Sequence, residues 1–375
     1  MKPLRLLCDT NPMAYGSSAS LAAILGRLET STRLIVMGRD VSLELLRAAS
    51  PGAQIIDVDV KDPREVAPLL AREEPDAALV VSNHANLGAY ADAGVPVFFV
   101  DVLFWYGEQK DESRWTRFER GFALDFPGVR ERVRALGWRR SPTIVGPLLR
   151  DLPPRAQEPR GSLVNLGGVR SVFVTPERAR AGLAVVARVL RSIAPALPDG
   201  EVVVATGGDA AATIRPLLPP SMRVGTLSPA EYDALLQRSA LLLTVPGLNA
   251  VLEGMAADVP LAFLPALNAS QCLQLRRYQQ AGVCASGIQL DGFVDLMIPE
   301  RVADERALTG EVIAALERIA ASADHQARMA GAVGEQLPVA PQLTRRRRAF
   351  VDSLGAPGAA PIAEAITTWW RERTA

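Results

Sequence analysis

Short apolar runs recur along the whole chain, and the segments between them switch to a helical spacing of hydrophobic positions. In the first half, runs at residues 4–8, 33–37, 54–58, 77–82 and 97–100 predict strands, and residues 17–27 predict the first helix. Between Pro142 and Gly161 the composition turns to Pro, Arg and Asp (DLPPRAQEPRG), a linker signature. The alternation then restarts. Strands are predicted at 163–166, 201–205, near 222–224, at 241–245 and in a run ending at Pro265. Helices are predicted at 176–193, 230–239 and 248–257, and onward from the polar loop Asn268-Ala269-Ser270-Gln271. Residues 362–373, with Trp369 and Trp370, predict a closing helix. Such alternation makes parallel sheets with helices on both faces. The expectation is an α/β chain of two Rossmann-like, doubly wound domains, residues 1–150 and 151–360, with 361–375 crossing back to the first as a helix. Two such domains are expected to bind a ligand in a cleft between the carboxyl ends of their sheets. The halves repeat an architecture and share no residue-level self-similarity.

At 375 residues the chain is long for one core, and 49% hydrophobic content is ample for two. Its 41 Lys and Arg balance 41 Asp and Glu, so no global field draws it to nucleic acid or an anionic membrane. The basic residues are nearly all Arg; Lys occurs only at 2, 61 and 110, which reads as codon bias. Cys8, Cys272 and Cys284 are odd in number and lack C-x-x-C spacing, so neither a disulfide framework nor a zinc site is expected, and Cys8 reads as core. The chain enters a strand without a signal-like segment, and no apolar run reaches transmembrane length, so a soluble, cytoplasmic protein is expected. The run Arg345 to Arg348 suggests nucleic-acid or membrane contact, but balanced charge and the lack of interleaved aromatics favour a solvated helix face. The oligomeric state is not fixed by the sequence, and a homodimer is one option.

The richest stretch is LLLTVPGLNAVLEGMAADVPLAFLPALNASQCLQLRRYQQAG, residues 241–282. Strand, Pro246-Gly247 turn, helix and strand make a βαβ unit, and the turn leaves backbone N–H groups of Gly247, Leu248 and Asn249 at a helix N-terminus. Such an end suits a pyrophosphate. Glu253 follows Asn249 by four positions, on the same helix face, where a carboxylate can accept from ribose hydroxyls. Two further glycine pairs follow strands: Gly167-Gly168 after Asn165-Leu166, and Gly207-Gly208 after Thr206. One such pair reads as a strand-end turn; two ahead of a phosphate turn favour close approach of a ligand to the backbone. Arg170 would then meet a phosphate or a sugar carboxylate, with a surface Arg as the plain alternative. The loop Gly225-Thr226-Leu227-Ser228-Pro229 offers an N-cap, with Glu231 at the third helical position.

This stretch resembles the donor-binding motif of GT-B glycosyltransferases, in layout most like the N-acetylglucosaminyltransferase of lipid II synthesis and the UDP-dependent glycosyltransferases of plants and antibiotic producers. The resemblance implies that Pro246, Gly247, Leu248 and Asn249 face the diphosphate, Glu253 the ribose, Thr226 and Leu227 the nucleobase, and Asn268, Ser270 and Gln271 the sugar. It also implies that Gly16 and Ser17, which open the first helix, face the donor. This chain departs from the family pattern at the phosphate turn, where many members have His-Cys-Gly or Ser-Gly, and at Tyr15-Gly16-Ser17-Ser18, where many carry a His. Short patches, residues 164–171, Val100-Asp101 to Trp105 and Asp125-Phe126-Pro127-Gly128, also resemble the cytosylglucuronate synthases, which implies UDP-glucuronate as donor and a cytosine-type acceptor.

With no His in the first loop, the base is expected among Asp9 and Asp101 at strand ends and His84 in the turn Ser82-Asn83-His84-Ala85-Asn86. The other histidine, His325, reads as a surface helix residue, and Asp125 as a turn residue. Phe104-Trp105-Tyr106 after Asp101 suggests an acceptor pocket with flat walls, or else a hydrophobic lid behind an N-capping Asp. No Asp-x-Asp closes a strand in the donor half, so no metal and no cofactor is expected, the UDP-sugar being a co-substrate. The expected function is a metal-independent, inverting glycosyltransferase of natural-product biosynthesis, joining a small-molecule acceptor and a nucleotide sugar. The alternatives are a sugar-nucleotide 2-epimerase of the same fold and a non-catalytic partner that activates another transferase.

Overall fold

The computed structural model describes residues 2–12, 15–108, 110–169, 173–285 and 287–375. It divides into two compact units: Met1–Arg150 together with Leu354–Ala375, and Asp151–Ser353.

The first unit is built on seven strands: β1 (Arg5–Thr10), β2 (Arg33–Gly38), β3 (Gln54–Asp57), β4 (Ala77–Val81), β5 (Val97–Asp101), β6 (Arg120–Leu124) and β7 (Thr143–Val145). They lie in the order β3-β2-β1-β4-β5-β6-β7, and every pair is parallel. Sequence explains the centre of this sheet. AALVV and VFFVD are buried at every position, as strands covered on both faces must be. Neither β6 nor β7 was expected. Residues 120–124 open with Arg120-Gly121, and β7 has only three residues and begins inside the stretch expected to be a linker. The last helix, Ala359–Thr374, belongs to this unit: Trp369 meets the edge of Phe98 with ring centroids 5.3 Å apart, and the Trp370 indole N–H donates to the Lys2 carbonyl at 3.0 Å.

The second unit has β8 (Ser162–Asn165), β9 (Val202–Ala205), β10 (Met222–Gly225), β11 (Leu241–Thr244) and β12 (Leu261–Phe263), in the order β10-β9-β8-β11-β12. All pairs are again parallel. Its helices start where local chemistry says they should. Thr175 caps Pro176–Ile193, Asn268 caps Ala269–Gln280, and Ser228 and Glu231 complete a capping box on Pro229–Arg238.

The arginine run corrects an expectation at one position, Arg347. It lies in the helix Thr344–Ser353, and Arg347 is buried, with its guanidinium donating to the carbonyls of Val283 and Ala340. Burial pushes its pKa down to about 10. Arg346 and Arg348 donate to Ala281 and Ala256, the carbonyls that end two helices. Arg345, Arg346 and Arg348 are exposed, as a solvated face would be, and only Arg347 turns inward; Arg346 and Arg348 also serve helix C-termini, where cations are favoured. Among the described residues, no helix is long and apolar enough to cross a membrane.

Candidate functional site

In each sheet the order of strands reverses once, between β1 and β4 and between β8 and β11. Ligands of open parallel sheets bind at the carboxyl ends beside such a reversal. In the second unit this point is the end of β11. Thr244 accepts from the Asn165 side-chain amide of β8 at 3.1 Å, which ties the two strand ends together. The chain then turns through Val245, Pro246 and Gly247, where the Gly247 N–H donates to the Val245 carbonyl at 2.6 Å and its carbonyl accepts from the Tyr278 hydroxyl at 3.2 Å. The helix Asn249–Ala256 begins with Leu248 in the capping position and no side-chain cap. It differs in this from the helices that Thr175, Ser228 and Asn268 cap; a helix N-terminus is where the helix dipole favours an anion. Glu253 lies one turn in and is 3% exposed.

The flanking residues fall along the same edge. Gly167 and Gly168 follow β8, Gly168 at φ +80°. Asn268 and Gln271 follow β12, and their side-chain amides donate to the carbonyls of Gly168 and Gly167, each at 3.0 Å. The Gln271 oxygen accepts from the Leu267 N–H at 2.8 Å, and the Asn268 oxygen accepts from Ser270 Oγ and from the Gln271 N–H. Thr206 and Gly207 follow β9 and lead into the helix Gly208–Ile214; Thr226 Oγ1 donates to the Thr206 carbonyl at 3.1 Å, and the buried Thr206 hydroxyl itself has no partner among the described residues. Thr226 is exposed and Leu227 half-buried ahead of the capping box. The strand order thus brings every expected donor residue of this unit to one edge, except Arg170, which lies outside the described residues.

The carboxyl edge of the first unit is charged instead. Asp9 is fully buried, and its two oxygens accept from Asn83 Nδ2 at 2.8 Å, Asn86 Nδ2 at 2.9 Å and the Tyr90 hydroxyl at 2.7 Å. Burial raises its pKa, against the three hydrogen bonds and the charge of Lys61. A carboxylate so enclosed anchors the loop after β4 and has no open side from which to take a proton. Among the candidate bases, Asp9 is therefore reassigned to structure.

His84 stands on that loop, exposed, its ring 4.7 Å from Phe99 by centroids. Just before it, Ser82 holds a left-handed φ of +55°, a conformation that costs energy outside glycine. Loss of water around the ring lowers the imidazole pKa; Asp101 opposes this, and Lys110, Arg114 and Lys61 reinforce it. Asp101 is buried and bound to Lys110 Nζ at 2.6 Å. Burial alone would raise its pKa, but the charge and hydrogen bond of Lys110, with His84 and the Leu103 N–H, hold it below the ordinary carboxylate value. Gly16 is exposed and Ser17 half-buried in the helix Tyr15–Leu25, and the buried hydroxyls of Thr10 and Ser18 beside them have no partner among the described residues.

The aromatic run is packed core. Phe104, Trp105 and Tyr106 are buried, Phe104 against Trp115 and Trp138, and Trp105 against Phe126, so they do not wall an open pocket. Asp125 is buried and paired with Arg130 at 2.6 Å.

Lys61, Lys110, Asn83, Asn86, Tyr90 and Tyr278 were not singled out from sequence. For the lysines a signal existed: the chain has only three, and two lie at this edge, on Asn83 and Asp101.

No family model matches the sequence, and no curated protein matches it. Solved structures do match over nearly the full length. CalG4, the calicheamicin glycosyltransferase, is 18% identical with a TM-score of 0.53, over 98% of each chain. The fold is GT-B. A UDP-glucosyltransferase from Polygonum tinctorium, able to glucosylate indoxyl, is 15% identical with a TM-score of 0.54, over 98% of this chain and 99% of its own. A Listeria monocytogenes protein assigned as a UDP-N-acetylglucosamine 2-epimerase is 14% identical with a TM-score of 0.54, over 99% of this chain and 98% of its own. GT-B chains of different activity are thus equally similar to this one, and the choice between activities rests on the site.

Proposed function

We propose that the chain is a GT-B glycosyltransferase whose donor, a UDP-sugar, binds the carboxyl edge of the five-stranded sheet. The uncapped start of the helix Asn249–Ala256, at the strand-order reversal and flanked by glycine turns, carries this reading. Its N–H groups and dipole hold the diphosphate, first in the substrate and then as the leaving group, when negative charge on it rises. Glu253 takes the ribose hydroxyls, which must enter a place now almost closed to water. His84 removes the proton of the acceptor hydroxyl or N–H; its lowered pKa keeps the ring neutral and able to do so near pH 7. As that proton leaves, the acceptor atom bonds to the anomeric carbon and the bond from that carbon to the diphosphate oxygen breaks, with inversion if attack is direct. Asp101, kept ionised by Lys110, stabilises the imidazolium that results.

The leaving group is proposed to be held by the helix end alone, without a metal. Activity is expected to survive thorough chelation by EDTA, and its loss with recovery on added magnesium or manganese would overturn this part.

The similarity to the Listeria protein keeps a second reading, epimerisation of a nucleotide sugar. It needs acid and base groups beside the sugar, whereas this edge offers mainly glycines and amides around Glu253 and Asp209. One experiment separates the two. The purified protein is given UDP-sugars, UDP-glucuronate first, with nucleobase and phenolic acceptors, and products are followed by NMR. Release of UDP with a new glycosidic bond supports transfer; conversion of UDP-N-acetylglucosamine to its 2-epimer without acceptor sinks it.

A further inference from the structure

Strand order puts β11 between β8 and β12, so a side chain linking the loop after β12 to the loop after β8 must pass over the end of β11. Two side chains do so. Asn268 reaches the Gly168 carbonyl and Gln271 the Gly167 carbonyl, across 100 and 104 positions of sequence. Their opposite ends are also engaged, Gln271 by the Leu267 N–H and Asn268 by Ser270 and the Gln271 N–H. Gln271 is 3% exposed. The turn is shaped to receive them: Gly168 has a left-handed φ, and a Cβ there would stand 2.8 Å from Gln271 Nε2.

We propose that Asn268 and Gln271 are positioning residues that strap the Gly167-Gly168 turn across the end of β11, and that nucleotide affinity depends on this strap even when the ligand carries no sugar. The proposal rests on the donor-site reading above and adds to it. The resemblance makes these amides readers of sugar hydroxyls, whereas here both ends of each are committed to holding the chain. A turn fixed in this way presents its backbone to a diphosphate without reordering on binding, which is where such a strap gains affinity.

The test starts without ligand, on the full chain. Asn268→Asp keeps the oxygen that caps the helix and loses only the arm to Gly168. Gln271→Glu keeps the oxygen that takes the Leu267 N–H and loses only the arm to Gly167. Amide exchange of residues 166–169 is expected to quicken about tenfold in each, the loss of one ordinary hydrogen bond, while β9 and β12 keep wild-type rates. Unchanged exchange at 166–169 overturns the strap. Gln271→Met, which adds no charge, is then titrated calorimetrically with UDP and with UDP-glucose. Equal weakening of both, about tenfold, supports the proposal. Weakening of UDP-glucose alone overturns it and returns Gln271 to the sugar. A wild-type chain that binds neither nucleotide removes the donor-site reading, and the exchange result then decides the strap by itself.

Discussion

The carboxyl edge of the seven-stranded sheet carries Asp9, His84 and Asp101 with Lys61 and Lys110 bound among them, whereas that of the five-stranded sheet carries glycines 167, 168, 207 and 247 with the amides of Asn165, Asn268 and Gln271. Both edges arise the same way, from parallel strands whose order reverses once. Their chemistry differs, and with it what each edge could do. Titratable groups that shift one another's pKa can move a proton. Bare backbone held by neutral amides can receive an anion without taking part in proton exchange. Within the first edge a second contrast appears. Asp9 and Asp101 are both buried, yet Asp9, held mainly by amides and a phenol, has its pKa raised, and Asp101, paired with an ammonium, has its pKa lowered.

The sharpest break between the two edges comes at His84. His84→Asn is expected to lower kcat by roughly 10²–10⁴ with nucleotide affinity unchanged; near wild-type turnover in steady-state assays would place the base elsewhere. Asp9→Ala should leave activity's cause untouched but cost about 3 kcal/mol of stability in urea unfolding, because three buried donors lose their acceptor. The sign with pH follows from the raised pKa. The folded chain binds the Asp9 proton more tightly than the unfolded one, so the stability linked to that proton, separate from the three hydrogen bonds, is full below the ordinary carboxylate range and is lost as pH rises through the raised value. Glu253→Gln tests the other edge, with nucleotide binding expected to weaken by about 1.5–3 kcal/mol while kcat at saturation changes little; unchanged affinity by calorimetry would remove the ribose role. The smallest effect is expected at Asp101→Asn. It takes away the group that raises the His84 pKa, so the acid limb of the pH–rate profile moves to lower pH. A limb that stays in place would show that Asp101 does not act on His84.

The five-stranded sheet was legible almost strand by strand, because its apolar runs are each closed by glycine or proline turns. The seven-stranded sheet was legible only to β5. β6 opens with an exposed Arg120 followed by Gly121, and β7 is too short for periodicity to register. The residues of the turn after β11 could be named because they are neighbours in sequence. The partners of other candidate residues could not: Asp9 lies 74 positions from Asn83, and Gln271 lies 104 from Gly167. The inward turn of Arg347 was illegible for the same reason, since the carbonyls it serves, at 283 and 340, belong to other segments.

The return of residues 354–375 to the first unit has a consequence for how that unit closes. Topologically the second unit is an insertion, one continuous segment set into a loop of the first. The ends of that insertion are held side by side: the Gly358 N–H donates to the Pro147 carbonyl at 2.9 Å, and Gly146 lies so close to Ala356 that no side chain fits there. The second unit is one continuous segment, with all its internal contacts on its own stretch of chain. The first unit is closed only when Trp369 covers Phe98, two segments separated by the whole of the second unit. Closing so long a loop costs entropy that the second unit does not pay.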